Sequence, residues 1–282
     1  MKRRIIIWNF LVMVLLGNVL ISCTKYDTPE LIEEVGGTSG RSSVKKYVLW
    51  VNIEGAGGGD LVKNAFPESG IVKGLLPHSR YAWSGLEAEH IDDTYVPTAE
   101  HAIASASMLT GNIPMRHGIA DGTYLSEQIF DPTYDEAMKE YPGFFQYIVD
   151  YDKSMKTLAV TPWKTLNEKL LDKASSTVTT ASDEETLNTV LQKVSNEDNR
   201  VIYLSFRNVL EAARSGGGWN SANTQYVNAM HQMDDYIGQL LEAVRARPDY
   251  YYEDWLVMIT SNHGGTSDGR YGGMSVEERN MF

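Results

Sequence analysis

Three short runs in this chain are apolar on successive residues, not on alternate ones. They are 46–53 (KYVLWVNI), 200–206 (RVIYLSF) and 254–260 (DWLVMIT). A strand that turns apolar side chains to both faces must be covered on both, and this is the habit of parallel sheets packed between helices. The segments between the runs supply such helices. Residues 224–247 repeat Tyr226, Met230, Met233, Ile237, Leu240, Leu241 and Val244 at helical spacing. Ser182 and Glu185 form a capping box for a helix running to about Val194. Residues 141–151 read as a helix with an aromatic face, 157–160 as a short strand, and 66–84 as a helix and a strand. The predicted class is α/β, a mostly parallel central sheet with helices on both faces. Strands at 47–53, 201–206 and 255–260 should be its centre.

In such sheets ligands bind beyond the carboxyl ends of the strands, so the residues that follow each run matter most. After Ile53 comes a Gly-rich loop that opens on the carboxylate of Glu54; it lacks the GK[ST] of a Walker loop. After Thr260 come Ser261, Asn262, His263, Gly264 and Gly265. The stretch 97–124 adds a helix of small residues, with Ala102, Ala104, Ser105, Ala106 and Ser107 stopping at Thr110-Gly111. Its bulk suits close packing on a sheet. Its amino end, Thr98 to His101, suits an anion. His78, His90 and His231 lie in polar or surface-helix settings and read as surface residues.

At 282 residues and 43% hydrophobic, the chain can bury one large core. Its formal net charge is -12, and removing residues 1–22 with Lys2, Arg3 and Arg4 takes it to -15, which argues against nucleic acid. Cys23 is the only cysteine, so neither an intramolecular disulfide nor a Cys-based zinc site can form. Lys2, Arg3 and Arg4, the apolar run 5–21 and the ending Leu20-Ile21-Ser22-Cys23 have the pattern of a bacterial lipoprotein signal. The expected organisation is a signal peptide at 1–22, a flexible tether at 23–45 with lipid on Cys23, and one α/β domain at 46–282. The expected location is the bacterial cell envelope, at the outer membrane.

The run 105–111 (SASMLTG) followed by His117-Gly118-Ile119, and the match of 235–244 (DYIGQLLEAV) to a helix of the same group, resemble the alkaline phosphatase superfamily. The likeness is to its type I phosphodiesterase/nucleotide pyrophosphatase branch and the lipoprotein relatives of that branch. The resemblance implies an ester hydrolase with two divalent metals, zinc above all, and a nucleophile ten residues before the Gly of the TG pair. That position is His101, where the family has Thr, Ser or a modified Cys. The family's metal-binding Asp of I-D-G is Glu54 here. Its D-x-x-G-H ligands fall on Leu210 and Arg214, the Asp before His263 is Asn262, and the His of G-x-H-G-G is Tyr271. His117 belongs to a turn that the resemblance marks as structural. The family continues here into a further strand, and this chain stops at its beginning, 277–282, so the chain end reads as a truncation.

Only His263 keeps its family identity. The expectation is a lipid-anchored, catalytically degenerate member without metal cofactor, acting as a binding or accessory protein. Glu54, Asn262 and His263 would be vestigial metal positions, and an anionic or glycan ligand would occupy the cleft. The alternative is an active phosphodiesterase, phosphatase or sulfatase-like hydrolase in which His101 accepts the group and two zinc ions are held.

Overall fold

The structure, a computed structural model, describes residues 44–85, 101–126 and 141–282. Its strands are β1 (Lys45–Ile53), β2 (Thr157–Thr161), β3 (Ser176–Thr179), β4 (Val201–Phe206) and β5 (Glu253–Thr260). They form one sheet in the order β3-β2-β4-β1-β5, with every pairing parallel. β1 and β4 are central as expected, but β5, expected beside them at the centre, is the outermost described strand on its side and leaves Leu256 exposed. All strands therefore start at one end of the sheet and finish at the other. Residues Val44–Phe282 make one compact unit. Among the described residues no helix is long and apolar enough to cross a membrane. The expectations for residues 1–43, including the signal, the lipid site at Cys23 and most of the tether, lie outside the described residues, as do Thr98 and His90.

Alternation along each strand sorts its side chains into two layers. On one face, Leu49, Val51 and Ile53 of β1 join Leu158, Val160, Ile202, Leu204 and Phe206 in a single apolar cluster. Two helices complete it: α7 (Asp183–Asn196) with Leu187, Val190 and Val194, and α9 (Thr224–Arg245) with Met230, Met233, Ile237, Leu240 and Val244. Complete burial of each Leu or Ile there contributes about 1.5–3 kcal/mol. On the other face Ala159 and Tyr203 pack against α3 (His101–Thr110), α5 (Phe144–Tyr151) and α6 (Lys164–Lys169), through Ala102, Ala106, Leu109, Phe145 and Leu166. The small side chains of α3 bring it close to the sheet. The helix stops at Gly111, whose φ of +66° is left-handed.

Local signals behave as their chemistry dictates, with three corrections. Ser182 accepts the Glu185 N–H at 3.1 Å, but the Glu185 carboxylate reaches past Ser182 to the Ala181 N–H at 2.7 Å. Residues 66–84 contain no strand; α2 (Ile71–Leu75) passes into a 3-10 turn at Leu76–His78. α2 follows α1 (Gly59–Ala65), which the Gly-rich loop feeds directly. The segment expected to open a further strand forms α10 (Val276–Arg279), and the Phe282 carbonyl then accepts the Ser261 N–H at 3.0 Å. Between α3 and β2 lies α4 (Pro114–His117), and α8 (Asn208–Ser215) follows β4.

Candidate functional site at the finishing end of the sheet

Four strands finish side by side and deliver their next residues to one place. Glu54 follows β1, Trp163 lies just past β2, Arg207 follows β4, and Asn262 and His263 follow β5. His101 opens α3 above them. Glu54 is fully buried. The Trp163 indole N–H donates to both its oxygens at 2.7 and 2.6 Å, and the Ser205 hydroxyl donates to Oε1. Asn52 holds Ser205 in turn, its amide donating to Oγ at 3.0 Å. Burial outweighs these bonds and pushes the Glu54 carboxyl up to about 8, so it holds its proton at neutral pH.

Glu54 differs from the other buried carboxylates. Asp183 accepts the N–H groups of Arg207 and Asn208, both at 2.9 Å, at the start of α8. Asp234 accepts those of Ile71 and Val72 at 2.8 Å, and Glu278 those of Gly273 and Ser275 at 2.9 and 3.0 Å. Each of these three ties down backbone. Among the described residues Glu54 accepts only side-chain donors.

The two histidines beside it have imidazole atoms to spare. His263 is fully buried with Nδ1 2.9 Å from the Gly264 carbonyl. A carbonyl only accepts, so the proton sits on Nδ1 and Nε2 presents a lone pair. That Nε2, and both ring nitrogens of His101, are buried and have no hydrogen-bond partner among the described residues. Burial drives His101 down to about 3, with His263 adding to the fall, and drives His263 down to about 4 against the pull of the Gly264 carbonyl. His101 Nδ1 stands 3.9 Å from Glu54 Oε2. His117 is different. It takes the Ile119 N–H on Nδ1 at 3.0 Å, so Nε2 carries the proton and donates to Ser107 at 3.0 Å.

The rings form an arch. The Arg207 guanidinium lies 5.6 Å from the Trp163 ring, Trp163 4.6 Å from His101, and His101 5.9 Å from His263. His263 then stacks on Tyr271 at 5.5 Å, and the exposed Arg214 guanidinium lies 5.1 Å from Tyr271. Arg207 and Arg214 are seven residues apart at the two ends of α8, hence on one face of it. Leu210 lies between them and is buried against Gly55. Gly55 has φ +63°, and a Cβ there would come within 2.8 Å of Leu210 Cδ1, so this contact requires glycine.

The structure thus brings together Glu54, His101, Asn262, His263 and Tyr271, and places Leu210 and Arg214 at the adjoining helix. A pair of metals does not fit these residues. The Asn262 amide is committed, its oxygen accepting the Gly55 N–H at 3.1 Å and its nitrogen donating to Ser105 at 3.0 Å. Leu210 offers no donor atom and Arg214 a fixed cation. Glu54, His101 and His263 carry ligand-type atoms, but among the described residues no three His, Cys, Asp or Glu are arranged to hold a metal ion. Sequence reasoning missed Trp163, Ser205 and Arg207. Two of them lie just past a strand, as Glu54 does, and that position was the available signal.

No model of a known protein family matches the sequence, and no curated protein matches it. Solved structures do. A candidate sulfatase from Bacteroides thetaiotaomicron superposes with a TM-score of 0.55 at 11% identity, over 84% of this chain and 63% of that one. Human ectonucleotide pyrophosphatase/phosphodiesterase 5 gives 0.52 at 13% identity, over 78% and 57%. A protein of the alkaline phosphatase superfamily from Vibrio parahaemolyticus gives 0.50 at 14%, over 84% and 59%. The chain therefore spans less than two thirds of the length of these three structures. These likenesses establish an alkaline-phosphatase-like fold.

Proposed function

We propose that this protein is a lipoprotein of the bacterial cell envelope, anchored through Cys23, whose alkaline-phosphatase-like domain binds a ligand and does not hydrolyse esters. The observation that carries this reading is the commitment of Asn262. At the position where the resemblance places a metal-binding carboxylate, a neutral amide holds Gly55 and Ser105 together, its one ligand-type oxygen already accepting an N–H. The site's positive charge comes from Arg207 and Arg214. Trp163 and Tyr271 add flat apolar surface, and His263 Nε2 adds an acceptor for a hydroxyl. Such a set suits an anionic ligand or an acidic glycan: guanidinium pairs with carboxylate, sulfate or phosphate without help from metal.

The purified protein should leave phosphodiester, phosphomonoester and sulfate ester model substrates intact. Cys23→Ala should abolish fatty-acid labelling, and normal labelling of that variant would remove the anchor from the account. One observation favours a second reading, an ester hydrolase with an unusual site. His101 packs beside Glu54 with two ring nitrogens that serve no structural bond. Turnover abolished by both His101→Ala and His263→Ala would replace the binding reading with that one.

A further inference from the structure

The opposite end of the sheet, where the strands begin, carries a surface of its own. The three most exposed large apolar side chains among the described residues are Tyr251 at 93%, Tyr151 at 86% and Tyr252 at 70%. All three precede strands. Tyr251 and Tyr252 lie in the 3-10 turn that leads into β5, and Tyr151 ends α5 just before β2. Because the strands are parallel, these turns share one end of the sheet with Val44 and Lys45, where β1 begins. Val44 is itself half exposed, and Lys45, Lys46, Lys153 and Lys156 are exposed around it.

Residues 1–43 join the domain at this end, through Val44. Only residues 24–43 separate Cys23 from Val44. Even fully extended, twenty residues reach at most about 70 Å, so a lipid on Cys23 would hold this end within that distance of the bilayer. Tyrosine, with an apolar ring and a wet hydroxyl, is the side chain that settles at a lipid–water boundary. Charge gives no alternative pull. Asp198 is taken up by Lys45 and Tyr47, Glu253 by Arg247, and the exposed Asp150, Asp172, Asp249 and Asp254 are interspersed with the lysines.

We propose that this end lies against the membrane, with Tyr151, Tyr251 and Tyr252 seated among the lipid headgroups and the Glu54–His263 site turned outward. The proposal rests on the anchor reading for its biology, but its test does not. Cys23 is the only cysteine, so the full chain can be coupled through it to a maleimide lipid in phosphatidylcholine vesicles, or to a soluble maleimide as reference. Hydrogen exchange is then compared. Amides of 149–156 and 249–254 should exchange several-fold more slowly on vesicles, at low and high salt alike. Those of 214–220 and 264–272 should not change. The Tyr151→Ser, Tyr251→Ser, Tyr252→Ser triple variant, altered only at exposed side chains, should fold normally and lose the protection. Unchanged exchange at both ends, protection at the site end, or protection that survives the triple substitution would overturn the proposal. Failure of Cys23 to carry lipid in cells would remove the anchor and leave the vesicle result to stand or fall separately.

Discussion

The two ends of the sheet treat polar groups in opposite ways. Where the strands begin, Arg247 and Glu253 satisfy each other. Arg247 forks onto Glu253 at 2.8 Å, caps the carbonyls of Val194 and Glu197, and lies over the rings of Tyr47 and Trp255. Tyr47 donates to Asp198. Where the strands finish, Glu54 has no Lys or Arg within ion-pair distance among the described residues, three imidazole nitrogens there have no hydrogen-bond partner, and two guanidiniums rest on rings. Both ends are built from the same sheet, so strand geometry cannot be the cause. Polar groups that serve stability are satisfied from within the chain. Groups left unsatisfied in a buried place cost stability, and they point to a ligand.

The largest expected effect breaks the satisfied end. Arg247→Ala leaves the Glu253 carboxylate with the Trp255 indole N–H but without its cation and uncaps the carbonyls of Val194 and Glu197, so it should cost about 3 kcal/mol of unfolding free energy in urea titration. A loss under about 1 kcal/mol would mean that the network is not structural.

Glu54→Gln should do the reverse. With the carboxyl raised from 4.5 to about 8, the unfolded chain releases this proton earlier than the folded one. Stability therefore falls as pH rises from about 4.5 through 8, by several kcal/mol from this group alone. The glutamine variant should be more stable than the parent at pH 8 and lack that decline. A Glu54→Gln protein that is less stable at pH 8 would show that the carboxylate is compensated.

The histidines separate in the same way. His117→Ala removes the bonds to Ser107 and Ile119 and should cost about 2 kcal/mol. His101→Leu should change stability at pH 7 by less than about 1 kcal/mol, since no hydrogen bond is lost. His101 and His263 titrate low when folded, so the unfolded chain takes up their protons first. Stability is lost as pH falls from about 6.5 toward 3. His101→Leu should flatten that acid limb, which acid titration followed by circular dichroism would record.

Much of the fold was legible because it depends on local pattern. The run at 46–53 showed by apolar continuity that it would be covered on both faces, and Gly111 marked where α3 must stop. The same reading of 254–260 went too far, since β5 lies outermost among the described strands and Leu256 is exposed. The site was legible in part: Glu54, Asn262 and His263 stand immediately after strands, and His101 opens a helix. What remained hidden depends on which strand ends become neighbours. Nothing near Trp163 in sequence announces that β2 will bring its indole onto a carboxylate 109 positions earlier. Ser205 reads as one polar residue in an apolar run, and only the pairing of β4 with β1 places it beneath Glu54. The commitment of Asn262 to Gly55 and Ser105 could not be read either, since it spans three separate segments.

The central claim, that the finishing end of the sheet binds its ligand without metal, is tested most directly by the zinc content of the purified protein. Plasma emission should find well under one zinc per chain after equilibration with excess zinc and gel filtration. The combined substitutions Glu54→Asp, Leu210→Asp, Asn262→Asp, Arg214→His, Tyr271→His and His101→Thr should raise that content. Stoichiometric zinc in the unmodified protein, lost on His263→Ala, would contradict the account.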